Sequence, residues 1–163
     1  MATISEVCRK AKENVQAIAL ASEQDMNVML SSAAKALREK ADDIIAENKK
    51  DIAACTRGAQ FIDRLMLDKK RIDGIAAGLE KLVELPCPVG EILEERTLYN
   101  GLQLRRVRVP LGVLGIIYEA RPNVTADAIG LAIKSGNAVV LRGSKDAICS
   151  NKMITAVIKS AIG

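Results

Sequence analysis

The chemistry that this sequence could perform is concentrated in two short runs. YEARPN places Glu119, Arg121 and Asn123 within a few residues of one another, and LRGS places Arg142, Gly143 and Ser144 together further along. A guanidinium fork suits a phosphate or carboxylate. An amide NH₂ suits an oxyanion that develops during acyl transfer. A cation, a bare glycine and a hydroxyl at the end of a strand suit a nucleotide phosphate or ribose. Pro122 fixes one backbone angle between Arg121 and Asn123 and so stiffens their loop. Each residue also has a structural use. Asn123 is a good helix N-cap, the role that spacing alone favours. Arg142–Ser144 could be a tight turn into the last helix, with Ser144 or Asp146 as its cap.

Composition removes other chemistries. The chain has 163 residues, no histidine, and four cysteines, Cys8, Cys55, Cys87 and Cys149, with no CxxC pair. No imidazole is available as acid, base or triad member, and no zinc site is expected. Isolated cysteines and an N-terminus that enters a charged amphipathic pattern directly, without an apolar targeting segment, lead us to expect a reducing cytoplasm. Aromatics are limited to Phe61, Tyr99 and Tyr118, which argues against base-stacking nucleic-acid modules. A net charge of +4 is mild and its lysines and arginines alternate with acids, the pattern of a solvated surface. No apolar run is long enough to span a membrane.

The elements that must position the two runs can be read from periodicity. Val113–Ile117 and Ala138–Leu141 are short apolar runs, as expected of parallel strands covered on both faces. Between them lies a helix from about Val124 to Lys134, with Gly136 placed to end it. In a parallel β-α-β unit the loops after both strands leave the same sheet edge, where open α/β sheets bind ligands. Gly112 and Gly115 do not complete a GxGxxG fingerprint, so an ordinary Rossmann dinucleotide site is disfavoured. They serve either close backbone packing or a ligand.

Before this unit the chain reads as helices. Thr3 and Glu6 fit a capping box, and Ile4, Val7, Ala11, Val15, Ile18 and Ala19 form a stripe. Asp25 is expected to cap a long second helix with Met26, Met29, Leu30, Ala33, Leu37, Ala41, Ile44 and Ile45 inward. A shorter helix is expected around Lys50–Cys55, stopping near Gly58. Asp68 is expected to cap another, with Ile72, Ile75, Ala76, Leu79, Leu82 and Val83 inward, ending before Pro86. No chemistry is expected on this half. Asn100-Gly101 between alternating residues signals a β-hairpin. A last helix is expected from Asp146, with Ile154, Val157, Ile158 and Ala161 inward. Two parallel strands are too few for a doubly wound sheet, so the chain reads as part of a larger fold.

Taken together, IYEARPNVTAD and KSGNAVVLRGS, at their separation here, resemble the γ-glutamyl phosphate reductase family, a branch of the aldehyde dehydrogenase superfamily. NKKDI at Asn48–Ile52, RLMLDKKRI at Arg64–Ile72 and NGLQLRRVRVPLG follow in the same order, so the resemblance covers the whole chain. It implies an α/β fold: N-terminal helices plus the first β-α-β-α unit of an aldehyde-dehydrogenase-type, Rossmann-like nucleotide-binding domain. It also implies a protruding hairpin at residues 92–109 that serves oligomerisation or interdomain contact. Residues 1–163 would be the N-terminal part of an NADP-binding domain, with the catalytic domain and its cysteine nucleophile lying beyond it. The implied activity is reduction of L-glutamate 5-phosphate by NADPH in proline biosynthesis, through a thioester on that cysteine.

The resemblance reverses the preference at Asn123, which falls at the superfamily's oxyanion-hole asparagine. Arg142 falls where the superfamily has a lysine on the adenosine ribose. Ile117, Tyr118, Glu119, Arg142, Gly143 and Ser144 are thereby assigned to the cofactor. Arg121, which has no strict superfamily equivalent, is assigned to the anionic substrate by charge and position. None of the four cysteines matches the nucleophile, and Cys149 reads as a packing residue. No metal, nucleic acid or membrane is implied; a homo-oligomer and a glutamate 5-kinase partner are. Two other readings remain open at this point: oxidation of a free aldehyde, and a non-catalytic nucleotide-binding or assembly module of the same fold.

Overall fold

The computed structural model describes residues 3–163. The capping box forms as expected: the Thr3 hydroxyl accepts the Glu6 N–H at 3.3 Å and the Glu6 carboxylate accepts the Thr3 N–H at 2.7 Å. It starts α1 (Ile4–Ala19), whose apolar stripe is nowhere fully buried. The second helix, α2 (Glu23–Glu39), is capped by Ser22, one turn earlier than expected. Asp25 sits at the third helical position and accepts the Ser22 N–H at 3.1 Å, a second capping box that makes the aspartate a partner of the cap.

The expected long helix is two helices. The chain turns out of helical geometry at Lys40 (φ −100°, ψ 17°), and α3 (Ala41–Ala54) follows. No glycine or proline marks this break, and the apolar spacing through Leu37, Ala41 and Ile44 runs across it. The expected helix at Lys50–Cys55 is the end of α3. Gly58 then starts a helix that periodicity did not disclose, α4 (Ala59–Leu65). Asp68 caps α5 (Lys69–Glu84) by accepting the Arg71 N–H at 2.7 Å.

The hairpin comprises β1 (Ile92–Thr97) and β2 (Gln103–Val107), paired antiparallel. Its turn uses Gly101 at φ +84°, a value that favours glycine. Every residue of both strands is exposed. Cross-strand charge pairs, Arg105–Glu95 at 2.8 Å and Arg106–Glu94 at 3.8 Å, link the two strands.

The parallel unit has β3 (Val113–Ile117), α6 (Asn123–Lys134), β4 (Ala138–Arg142) and α7 (Ile148–Ile162), with a 3-10 turn at Lys145–Ala147 before α7. Gly136 ends α6 at φ +68°. One core joins Met26, Leu30 and Leu37 of α2 to Ile72 and Leu79 of α5, Ile129 and Ile133 of α6, and Ile154 and Ile158 of α7. The expectation that both faces of the strands are covered is not met within this chain. Val113, Gly115 and Ile117 alternate to solvent, Ile117 at 84% exposure. α1 lies mainly along β4, with a lesser approach to β3.

Candidate functional site

Register brings the two chemical runs together. Ile117 pairs with Arg142, and the Tyr118 N–H donates to the Arg142 carbonyl at 3.1 Å, so the loops after β3 and β4 leave the sheet side by side. Tyr118 turns inward. Its hydroxyl lies 2.7 Å from Thr125 Oγ1, which donates to Asn151 Oδ1 at 2.9 Å. Burial pushes the phenol above its ordinary pKa. The Tyr118 hydroxyl is therefore engaged within the fold, while its half-buried ring lines a cleft with Gly143 and Asn151.

Gly143 packs against the same group. A Cβ there would lie 2.3 Å from Asn151 Nδ2 and 3.0 Å from the Tyr118 ring, so no side chain fits without a shift. Arg142 is exposed, donates to the neighbouring Gly143 carbonyl, and has no acidic partner among the described residues. Glu119, also exposed, stands on the adjacent loop. Ser144 is the cap that spacing allowed: its oxygen accepts the Asp146 N–H at 3.2 Å, and its hydroxyl donates to the Asp146 carboxylate at 3.0 Å. Its hydroxyl is thus engaged.

Asn123 does not cap α6. Pro122 is already helical (φ −58°, ψ −30°), Asn123 is the first residue of the helix, and no side chain bonds the helix start. The Asn123 amide instead donates to Asp127 Oδ2 at 3.2 Å, one turn on. One of its two N–H groups is thereby held, and its orientation fixed. Burial raises the Asp127 carboxyl above the usual aspartate range, and the Asn123 bond partly offsets this.

Arg121, Asn123 and Asp127 line one cleft of about 510 Å³ with Asp63, Arg64 and Arg71 from α4 and α5. The helical half was expected to carry no chemistry; it supplies one wall of this cleft. Arg71 is committed to structure, donating to the Asp63 and Met66 carbonyls and, at 2.7 Å, to the Asp63 carboxylate. The α4–α5 corner is fixed from below by Asn48. Its amide donates to the Leu65 carbonyl at 2.9 Å and to Ser150 Oγ at 3.0 Å, while its oxygen accepts the Leu67 N–H at 2.8 Å. Asp51, one turn on, accepts the Cys149 and Ser150 N–H groups at the start of α7, at 3.0 and 2.8 Å.

Asp127 and the α4–α5 residues escaped sequence reasoning. The four-residue spacing of Asn123 and Asp127 was a readable signal, since such pairs meet on a helix. Arg64 and Asn48 lay within runs that carried the family resemblance but had no evident partner. No cysteine lines the cleft. The Cys149 thiol is pushed up, first by burial and then by Asp51, the opposite of what a nucleophile needs. Among the described residues no cluster of three or more metal-ligating side chains occurs, and no helix is long and apolar enough to cross a membrane.

The architecture is that of the N-terminal portion of an aldehyde dehydrogenase fold. An NAD-dependent benzaldehyde dehydrogenase from Corynebacterium glutamicum superposes on 99% of this chain with a TM-score of 0.77 at 20% identity, the chain covering 34% of it. Within that fold, the chain is a homologue of the γ-glutamyl phosphate reductases. The reductase of Thermobifida fusca (strain YX) is 47% identical over 162 residues, which is 98% of this chain and 39% of the relative. The crystal structure of the Thermotoga maritima reductase matches 97% of this chain and 39% of its own, with a TM-score of 0.94 and 37% identity. The chain thus spans about two fifths of the length of these relatives. No family model matches it.

Proposed function

We propose that the protein carrying this chain reduces L-glutamate 5-phosphate with NADPH, giving L-glutamate 5-semialdehyde, phosphate and NADP⁺. The observation that carries this reading is Asn123. Its amide is free of capping duty, is oriented by Asp127, and lines a cleft with Arg121, which has no ion-pair partner among the described residues. An oriented amide donor next to a cation suits an acyl carbon whose oxygen becomes negative while an anionic group departs. Asn123 is the oxyanion donor and Arg121 a ligand of the anionic substrate.

The residues at the strand edge fit a dinucleotide. Arg142 presents a guanidinium without an acidic partner among the described residues, and the Ile117–Glu119 backbone runs beside it. Arg142 would hold the adenosine part, Gly143 and Ser144 would shape its floor, and Glu119 would border it. The bound nicotinamide supplies the hydride. Because no cysteine of this chain lines the cleft, the attacking thiol must come from elsewhere in the protein. The exposed hairpin at residues 92–109 is assigned to contact with a second subunit or domain, and a glutamate 5-kinase partner and the cytoplasm belong to the same reading.

The test is the reductase assay on the full-length protein with Arg142→Ala beside the wild type. Wild-type consumption of NADPH with matching phosphate release is expected. Loss of one charge-assisted contact should raise the KM for NADPH roughly tenfold to a hundredfold, with little change in the KM for glutamate 5-phosphate. Absence of wild-type turnover would overturn the reaction, and a shift confined to the phosphorylated substrate would move Arg142 to the other pocket.

A further inference from the structure

Arg64 stands in the last turn of α4 and lines the cleft opposite the start of α6. Its backbone is fixed. The neighbouring Leu65 is fully buried, its carbonyl is held by Asn48, and Leu67 is buried two residues further on. Its side chain is exposed and, among the described residues, has neither an ion-pair partner nor a hydrogen bond. That sets it apart from Arg57, paired with Asp146, and from Arg71, paired with Asp63. Arg121 on the same cleft also has no ion-pair partner among the described residues. The two carboxylates of the cleft are already engaged, Asp63 by Arg71 and Asp127 by Asn123. The cleft thus holds two guanidiniums whose charges repel in the absence of an anion, beside an amide suited to an acyl oxygen.

Two planar forks exceed what a carboxylate requires, since one bidentate guanidinium satisfies a single carboxylate. A phosphoryl group, with more than one negative charge and three terminal oxygens, can use both. We propose that Arg64 is a further substrate-binding residue, which together with Arg121 holds the phosphoryl group of the acyl phosphate. The assignment rests on the reaction proposed above. In that reaction the acyl C–O bond to phosphate breaks and its electron pair leaves with the phosphate, so charge increases on the group that the two arginines hold.

The reverse direction isolates this contact, because inorganic phosphate is then a separate substrate beside the semialdehyde and NADP⁺. In the full-length protein, Arg64→Gln should raise the KM for phosphate roughly tenfold to a hundredfold. The KM values for NADP⁺ and the semialdehyde should stay within about twofold of the wild type (a twofold ratio being under half a kcal/mol), with the melting temperature unchanged. Arg64→Lys, which keeps the charge but not the fork, should fall between. An unchanged phosphate KM would overturn the assignment, as would a shift in the semialdehyde KM alone, which would place Arg64 at the amino-acid end. A fall in melting temperature with unchanged kinetics would make Arg64 a helix-end residue and nothing more. Should the wild type lack the reaction altogether, calorimetric titration with inorganic phosphate decides the point. Weaker binding by Arg64→Gln than by the wild type supports the site, and equal or absent binding overturns it.

Discussion

Replacing Asn123 by Asp tests that side chain as a donor. Asp keeps nearly the same shape but removes the amide N–H, and with it the bond to Asp127, and adds negative charge where the oxyanion is proposed to develop. The full-length protein with Asn123→Asp is expected to lose kcat by roughly 10²–10³. The new carboxylate would lie one turn from Asp127, whose own carboxyl burial already raises. Like charges at this spacing cost a few tenths of a kcal/mol on a helix surface; here the pair is half-buried and the Asn123–Asp127 bond is lost, which adds to that cost, while the helix N-terminus offsets part of it. The melting temperature at neutral pH should therefore fall modestly, without loss of the folded state. Asp127 sets the sign of the pH dependence: already raised by burial, it loses in the variant the Asn123 bond that lowers it, and an acid raised in the folded state loses stability as pH rises through its folded pKa. The variant should accordingly gain stability relative to the wild type on acidification. Near-normal turnover in this variant would return Asn123 to a structural role. The residue types were readable from sequence, but its orientation was not. Pro122 entered helical geometry one residue early, and that decided against the cap.

At the scale of elements, strong local signals were read correctly. The Thr3–Glu6 box, the Asp68 cap, the Asn100-Gly101 turn and the Gly136 stop all depend on neighbours close in sequence. The break at Lys40 and the short helix α4 were missed because neither has a composition signal. They follow from packing, which requires α3 to leave the line of α2 while Leu37 and Ile44 reach the same core. Asn48 is the polar joint of that arrangement, tying α3 to the α4–α5 corner and to α7. Asn48→Ala would remove three hydrogen bonds and strand the buried Leu67 N–H. A single stranded buried group costs about 1–3 kcal/mol, so a loss of about 3 kcal/mol in urea denaturation of the full-length protein is expected. A loss below about 1 kcal/mol would mean that water replaces the amide.

At the scale of the whole molecule, the cleft is assembled from segments far apart in sequence. The α4–α5 wall and the start of α6 meet only because α5 packs against α6. Gly130 permits that approach, since a Cβ there would lie 2.4 Å from Leu79 and 2.9 Å from Leu82. The cleft has donors and cations but no thiol. Without a thiolate at the acyl carbon there is no covalent acyl-enzyme for hydride to reduce. This 163-residue chain by itself, incubated with glutamate 5-phosphate and NADPH, should leave the dihydronicotinamide absorbance unchanged. Steady consumption coupled to phosphate release would show that one of Cys8, Cys55, Cys87 or Cys149 serves after all.

The sequence by itself determined the parallel unit, the edge at which its loops emerge, and the identity of Arg121, Asn123 and Arg142 as polar groups on an aliphatic scaffold. These follow from hydrophobic period and turn chemistry, which act over a few residues. Only the tertiary structure decided what those groups face. It turned Tyr118 inward to Thr125, gave Ser144 to Asp146, set Asn123 on Asp127, and brought Arg64 to the cleft of Arg121. Such contacts are decided by how buried helices pack, and a change of one turn at Lys40 or Gly58 would redirect them. Local spacing contains no record of that choice.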